Sequence, residues 1–342
     1  MVQNSQPRVS VIIPAYNAEK TLEETLNSVV SQSYKNIEVV VVDDGSTDRT
    51  AKIVEKFSQE HQNIRLVQIQ NSGVAKARNA GIKESQGKYV APIDADDLWH
   101  PKRIEMHVQA LENADQKTAV AYSPFCIINP ESEIIGYSKY YGCSGNVFYE
   151  LLETNIVGNG SGLLVRKDAL ESVGGYSPAL QAQGAEGCED YLVQLKLAYD
   201  YKYVCVPHHL IGYRLSPGNM SSDKIKMKRS EMLMYDRIDK TCEVDQKLFK
   251  QAKLETLSRL LPFVVKKHGY AGYKNEIKPH LNEMHDYVIL FFYTLGYISS
   301  RISNKAMRLL KKIGHYCPKE KKSFYDFVDY QLQDEMQTRT LK

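Results

Sequence analysis

Residues 39–48 read Val-Val-Val-Val-Asp-Asp-Gly-Ser-Thr-Asp. Four consecutive valines suit a central strand buried on both faces. The cluster Asp43-Asp44-Gly45-Ser46-Thr47-Asp48 then breaks the run. Upstream, Val9-Ser10-Val11-Ile12-Ile13 is a β-branched run ended by Pro14, which reads as a first strand. Between these two, residues 19–33 carry Leu22, Leu26, Val29 and Val30 at helical spacing. Downstream, residues 50–60 read as a helix with Ile53, Val54 and Phe57 as its apolar stripe. Residues 64–69 read as a third strand and residues 74–85 as a helix. Residues 89–93 read as a fourth strand, ending in Asp94-Ala95-Asp96-Asp97. Strands separated by helices predict parallel βαβ units, hence an α/β fold with a doubly wound, mostly parallel sheet flanked by helices.

From about Lys117 the pattern becomes mixed. Residues 119–128 and 162–166 read as strands, and residues 189–198 as a helix. From about Asp223 the signal is helical and basic. The chain therefore divides into an α/β domain over residues 1–222 and a helical C-terminal region over 223–342. Composition is that of an ordinary globular protein: 43% hydrophobic, 25% charged, with a formal net charge of +3. So balanced a charge gives no footprint for nucleic acid. None of the six cysteines forms a C-x-x-C pair, so neither a zinc cluster nor a disulfide scaffold is expected. The polar N-terminus carries no secretory leader, and no stretch reaches the ~20 apolar residues that span a bilayer. A reducing cytoplasm is the expected location, with possible contact at the inner face of the membrane.

In an open parallel sheet, ligands bind beyond the carboxyl ends of the strands. Three polar clusters fall at such ends: Pro14-Ala15-Tyr16-Asn17, Asp43-Asp44-Gly45 and Asp94-Ala95-Asp96-Asp97. Alternating carboxylates at a strand end can hold Mg²⁺ or Mn²⁺, hard cations that bridge to substrate phosphates. The plainer alternative is that Asp96 or Asp97 caps a helix starting near Leu98. A carboxylate at Asp43-Asp44 can accept the imide N–H of a uracil, with Tyr16 stacked on the base, or simply cap the helix from Thr50. Arg78 can meet phosphate in fork geometry or form a surface ion pair. Glu189 and Asp190 open an amphipathic helix, where carboxylates suit the dipole and where one can serve as a general base. The segment around Gly81–Lys88 fails as a phosphate loop, because Tyr89 stands where Ser or Thr is required. Gly158-Asn159-Gly160-Ser161-Gly162 fails as a dinucleotide fingerprint, because its glycine spacing is wrong and a strand-like run follows it.

The stretches VSVIIPAYNAEKTLEETLNSVVSQSY, VVVVDDGSTD, NSGVAKARNAGIKESQGKYVAPIDADDLW and Glu189-Asp190, in that order, resemble the family 2 glycosyltransferases of the GT-A fold. The resemblance is most specific over residues 9–104, extends to about residue 222 and is absent beyond. It implies an inverting transferase that uses a nucleotide-sugar donor and a divalent cation. Pro14, Tyr16, Asn17, Asp44, Arg78 and Asp94 match the family's donor contacts. Asp96 and Asp94 match the metal-binding Asp-x-Asp motif. Asp190 matches the catalytic base, with Glu189 beside it. Tyr213-Arg214-Leu215-Ser216-Pro217-Gly218-Asn219 resembles a later family segment, implying a diphosphate or acceptor contact from Arg214, Ser216 or Asn219. There the family often carries a metal-ligating histidine two places after the arginine, and here that place is Ser216. The implied partners are a UDP-linked sugar and a glycan or lipid-linked acceptor. Two rivals are a degenerate transferase domain kept as a binding module and a sugar nucleotidyltransferase, although the glycine-rich loop of the latter is missing after the first strand.

The C-terminal region adds the apolar stretch Tyr287-Val288-Ile289-Leu290-Phe291-Phe292-Tyr293, followed by Arg301, Lys305, Arg308, Lys311 and Lys312. It is too short to span a bilayer. It suits a helix lying in a membrane surface, or one packed on the catalytic domain or in a homo-oligomer.

Overall fold

The computed structural model describes residues 6–183, 187–216, 223–281, 286, 290–291 and 294. They fall into two compact units: residues 6–179 with 189–216, and residues 180–183 and 187–188 with those from 223 onward. The division expected between residues 222 and 223 lies in a stretch outside the described residues, as do Asn219 and most of the apolar stretch 287–293.

The first unit opens with β1 (Val9–Ala15), α1 (Leu22–Val30), β2 (Ile37–Asp43), α2 (Thr50–Glu60), β3 (Ile64–Gln68), α3 (Val74–Glu84) and β4 (Tyr89–Pro92). β5 (Leu98–Trp99), α4 (Arg103–Glu112), β6 (Thr118–Tyr122), β7 (Phe125–Ile128), β8 (Ile134–Tyr137) and α5 (Phe148–Glu153) follow. It closes with β9 (Leu163–Arg166), α6 (Lys167–Ser172), α7 (Glu189–Asp200), β10 (Lys202–Cys205) and β11 (Ile211–Arg214). Seven strands form the main sheet in the order β10-β6-β9-β4-β1-β2-β3. Only β9 runs antiparallel to its neighbours. The valine run of β2 is buried along its whole length, as a central strand requires. Pro14 lies within β1, where its missing N–H costs nothing, because the β4 pairing has already ended at Ile12.

Two expectations fail for local reasons. Residues 119–128 form two strands, not one. Ser123 and Pro124 break the run, and β7 joins a second sheet of order β5-β11-β7-β8. No helix starts near Leu98. Leu98 and Trp99 pair as β5 with β11, and α4 begins only at Arg103.

The chain runs β1, β2, β3 outward and then returns through α3 to place β4 on the other side of β1. The strand order therefore reverses between β1 and β4, and the crevice beyond their carboxyl ends is the natural ligand position. The core beneath it is made by Val9, Val11, Ile13, Val39, Val41, Tyr89, Ala91 and Trp99 with Leu22, Leu26 and Ile104 from the helices.

The second unit is helical. Asp223 caps α8 (Lys224–Thr241) by accepting the N–H groups of Ile225 and Lys226. α9 (Gln246–Gly272) is long and contains Pro262. Tyr235 and Phe249 meet edge to face at 5.8 Å, and Lys253 pairs with Asp236 at 2.6 Å. Among the described residues, no helix is long and apolar enough to cross a membrane.

Candidate active site

Parallel register brings the three polar clusters to one rim. Ala15 lies opposite Asp43, and the Ile93 N–H bonds the Ile12 carbonyl, so Tyr16, Asp44 and Asp94 leave adjacent strand ends. The loops at this rim are tied to each other. Asn17 takes φ 48°, and its amide oxygen accepts the Thr47 N–H at 2.9 Å. Its own N–H donates to Ser46 Oγ. Asn17 thus builds the loop, and the neighbouring Tyr16 is left 53% exposed. The Asp44 carboxylate accepts the N–H groups of Ser72 and Gly73, both at 2.8 Å, and so fixes the approach to α3. A carboxylate has about four lone-pair sites, so these bonds leave acceptor capacity.

Arg78 is not on the surface. It is 2% exposed, and its Nη2 donates to Asp94 at 2.6 Å while Nη1 donates to Glu189 at 2.7 Å. Its guanidinium lies over the Tyr176 ring, 5.0 Å from the centroid. Burial opposes its charge, but the Asp94 and Glu189 carboxylates more than offset this and hold its pKa above the ordinary value. Here the fork meets two carboxylates, one at the β4 end and one at the start of α7. That second bond also holds Glu189, while among the described residues the adjacent Asp190 forms no ion pair and feels the Arg78 charge only at a distance. Burial, then the Glu189 charge, pushes the Asp190 carboxyl up to about 7. A carboxylate ionising near neutrality is matched to general-base work.

The Asp94–Asp97 turn is clamped by groups that the sequence did not announce. Ser161 Oγ accepts the Asp94 N–H at 3.0 Å and donates to the Asp97 carboxylate at 2.5 Å. Thr21, just before α1, and Thr25, in its first turns, donate to the carbonyls of Ala95 and Asp97. Gly160 lies so close to the Arg78–Asp94 pair that a Cβ there would meet Arg78 Nη2 at 2.7 Å. The glycine density of residues 158–162 was the available signal, since it marks a close approach of backbone to something else.

Arg214, expected near the diphosphate or acceptor, lies inside the fold. It is fully buried, and its side chain donates to the Asp96 carbonyl at 2.7 Å, to Pro130 O, Asn129 O and Ser132 Oγ, and to Glu24 at 2.6 Å. Its backbone N–H donates to Asp97 at 2.9 Å. It ties the acidic turn to α1 and to the β7–β8 connection. Ser216 lies half-buried two residues beyond it. Asp97 is likewise structural, wholly buried and without a helix to cap. Burial, with the charges of Asp96 and Asp94, pushes its carboxyl far above the usual range.

Asp96 is the exception in this turn. Among the described residues its carboxylate accepts only from its own backbone N–H, and the Arg214 charge acts on it without a direct bond. Burial, then the neighbouring Asp94 charge, pushes it up to about 6. A divalent cation would relieve that repulsion, so the residues present fit one. Among the described residues no third histidine, cysteine or carboxylate joins them. Such a pair suits Mg²⁺ or Mn²⁺, which fill their shells with water and substrate phosphate, better than a cation needing an all-protein cage.

Relatives and solved structures share the fold that carries these residues. The curated relative GlyA of Streptococcus pneumoniae is 32% identical over 229 residues, covering 63% of this chain and 31% of GlyA, so the match spans about a third of that protein's length. Among solved structures, S. aureus TarS in complex with UDP-GlcNAc superposes with a TM-score of 0.59 at 20% identity, over 84% of this chain and 79% of that one. A mannosyltransferase from Pyrobaculum calidifontis, solved with GDP-Man and Mn²⁺, gives a TM-score of 0.56 at 20% identity, over 84% and 80%. These two share the GT-A type of fold. The family model for glycosyl transferase family 2 matches residues 10–174, so that stretch of the chain is a domain of this family.

Proposed function

We propose that this protein is an inverting glycosyltransferase that moves a sugar from a nucleotide-diphosphate donor, a UDP-sugar, to a hydroxyl of a glycan or lipid-linked acceptor. The observation that carries the reading is the Asp94–Arg78–Glu189 bridge. It ties the carboxylates suited to a cation to the helix end that bears a carboxylate titrating near neutrality.

Tyr16, exposed at the rim, offers its face to the base, and Asp44 offers acceptor capacity to the imide edge. Asp94 and Asp96 would hold the divalent cation, which neutralises the charge of the departing diphosphate. The acceptor oxygen attacks the anomeric carbon as the carbon–oxygen bond to the diphosphate breaks. Asp190 takes the hydroxyl proton, and nucleoside diphosphate leaves. One displacement needs one base, so Glu189 is free to serve as the anchor of Arg78. The Arg78 charge beside Asp190 keeps part of the base ionised at pH 7.

The test is Asp190→Asn. Donor binding by calorimetry should be retained, while nucleotide release in a panel of UDP- and GDP-sugars with glycan acceptors should fall at least ~10²-fold. If the wild-type chain binds donors and releases no nucleotide under any pairing, it is a binding module. Near-normal turnover in Asp190→Asn would move the base elsewhere.

A further inference from the structure

Two thiols lie beside one another at the same sheet rim, outside the site described above. Gly145 and Tyr203 form an isolated antiparallel bridge, exchanging N–H···O bonds of 2.8 and 2.9 Å. Cys143 stands two residues before Gly145 and Cys205 two after Tyr203. The bridge itself does not extend to them, and side-chain contacts bring the two together. The Tyr122 hydroxyl donates to the Cys143 carbonyl at 2.8 Å and is also hydrogen-bonded to the Cys205 thiol. The Cys205 N–H donates to Ser144 Oγ at 3.0 Å, and its thiol, 3.9 Å from the Val206 carbonyl, feels the Gly142 backbone and the Cys143 thiol. The Cys205 thiol therefore rests against the backbone of residues 142–144. The half-exposed Cys143 thiol lies 3.6 Å from the Tyr141 carbonyl.

We propose that Cys143 and Cys205 form a dithiol–disulfide site, oxidised by a low-molecular-weight disulfide of the glutathione class. The more exposed Cys143 loses its proton and attacks one sulfur of the small disulfide, expelling one small thiol. Cys205, deprotonated in turn, attacks the Cys143 sulfur of the mixed disulfide and expels the second. Two protein thiols are oxidised, and one small disulfide is reduced to two thiols. The new bond ties the segment carrying the exposed Tyr140 and Tyr141 to the edge strand β10. It lies beside the carboxyl end of β6, which points to the same rim as β4 because both pair antiparallel with β9. The site stands whether or not the transferase reading holds.

The experiment uses the full reduced chain, exposed to oxidised glutathione, quenched with an alkylating agent and digested without reductant. The expected result is one crosslinked peptide pair joining Cys143 to Cys205, with the other cysteines alkylated, and its loss after dithiothreitol. Cys205→Ser, close to isosteric, should instead trap glutathione on Cys143. The proposal is overturned if both thiols remain alkylatable after prolonged oxidation, if the wild-type chain stops at glutathionylated Cys143, or if Cys143 pairs with a different cysteine.

Discussion

Arg78→Met is the sharpest test of how the site is built. The substitution keeps an unbranched apolar stem but deletes both charged hydrogen bonds, to Glu189 at 2.7 Å and Asp94 at 2.6 Å. A hydrogen bond to a charged group contributes about 1.5–3 kcal/mol when buried. The Glu189 bond qualifies in full, since its side chain is 8% exposed. The Asp94 bond counts for less, since that side chain is 30% exposed and solvent screens it. The sum is about 3–4 kcal/mol, inside the range of about 3–5 for stranding a buried charge by removing its partner. Trp99, the chain's single tryptophan, is buried in the same unit and reports its unfolding by fluorescence. With a urea slope of about 3 kcal/mol per M, the midpoint should fall by about 1 M. A second readout separates positioning from phosphate binding. Arg78 lowers the Asp190 pKa, so its loss should move the acidic limb of the pH–rate profile upward. Activity, which needs the ionised base, should then rise only at higher pH. If instead the urea midpoint is unchanged and affinity for UDP alone collapses, Arg78 meets phosphate in solution and the positioning argument is refuted.

Asp96→Ala should abolish the Mn²⁺ dependence of donor binding, read by calorimetry with and without metal; unaltered metal dependence would remove Asp96 from the cation site. Gly160→Ala should cost about 1–3 kcal/mol through overpacking, because its Cβ would fall 2.7 Å from an Arg78 nitrogen pinned on both sides. A wild-type urea midpoint there would show that Arg78 can move aside. Ser216→Ala should be mild if water completes the cation's shell, and a loss as large as that of Asp96→Ala would make the Ser216 hydroxyl a ligand. In the wild-type chain, transfer should rise with pH through about 7, because Asp190 works as a base only when ionised and burial with Glu189 raises its pKa; a flat profile from pH 5 to 8 would exclude it.

The strand–helix alternation over the first hundred residues was legible because β-branched runs and helical stripes alternate there without ambiguity. The bounds moved by only a few residues, as with α1, which is shorter at both ends than its apolar spacing suggested. Legibility ended where partners are distant in sequence. Nothing local distinguishes Leu98-Trp99 as a strand, since its partner is Ile211-Gly212, more than a hundred residues away. The same holds for charge. An arginine on a helix beside a presumed diphosphate looks like a phosphate ligand, and only the fold reveals that Glu189 faces Arg78 across 111 positions. Ser161 escaped notice because its role depends on where its hydroxyl ends up, and no residue type or spacing encodes that.

The contrast between Asp96 and its neighbours bears on why the acidic turn is built from so many charges. Buried polar groups are costly when unpaired, so a fold indifferent to ligands would satisfy all of them. Asp94 is satisfied by Arg78. Asp97 is satisfied by Ser161 and the Arg214 backbone, and Arg214 in turn holds the Asp96 carbonyl. Among the described residues the Asp96 carboxylate takes no bond from another residue's side chain, and it is left where burial and a like charge both oppose its ionisation. Local destabilisation of one group inside a rigid frame is what a preorganised ligand site requires, because a bound cation then relieves a strain already in place. Arg214 and Arg78 therefore serve the chemistry by what they keep still. Deleting the Arg214 contacts should loosen the turn, and the loss would appear first in cation affinity, with donor-base recognition at Tyr16 less affected.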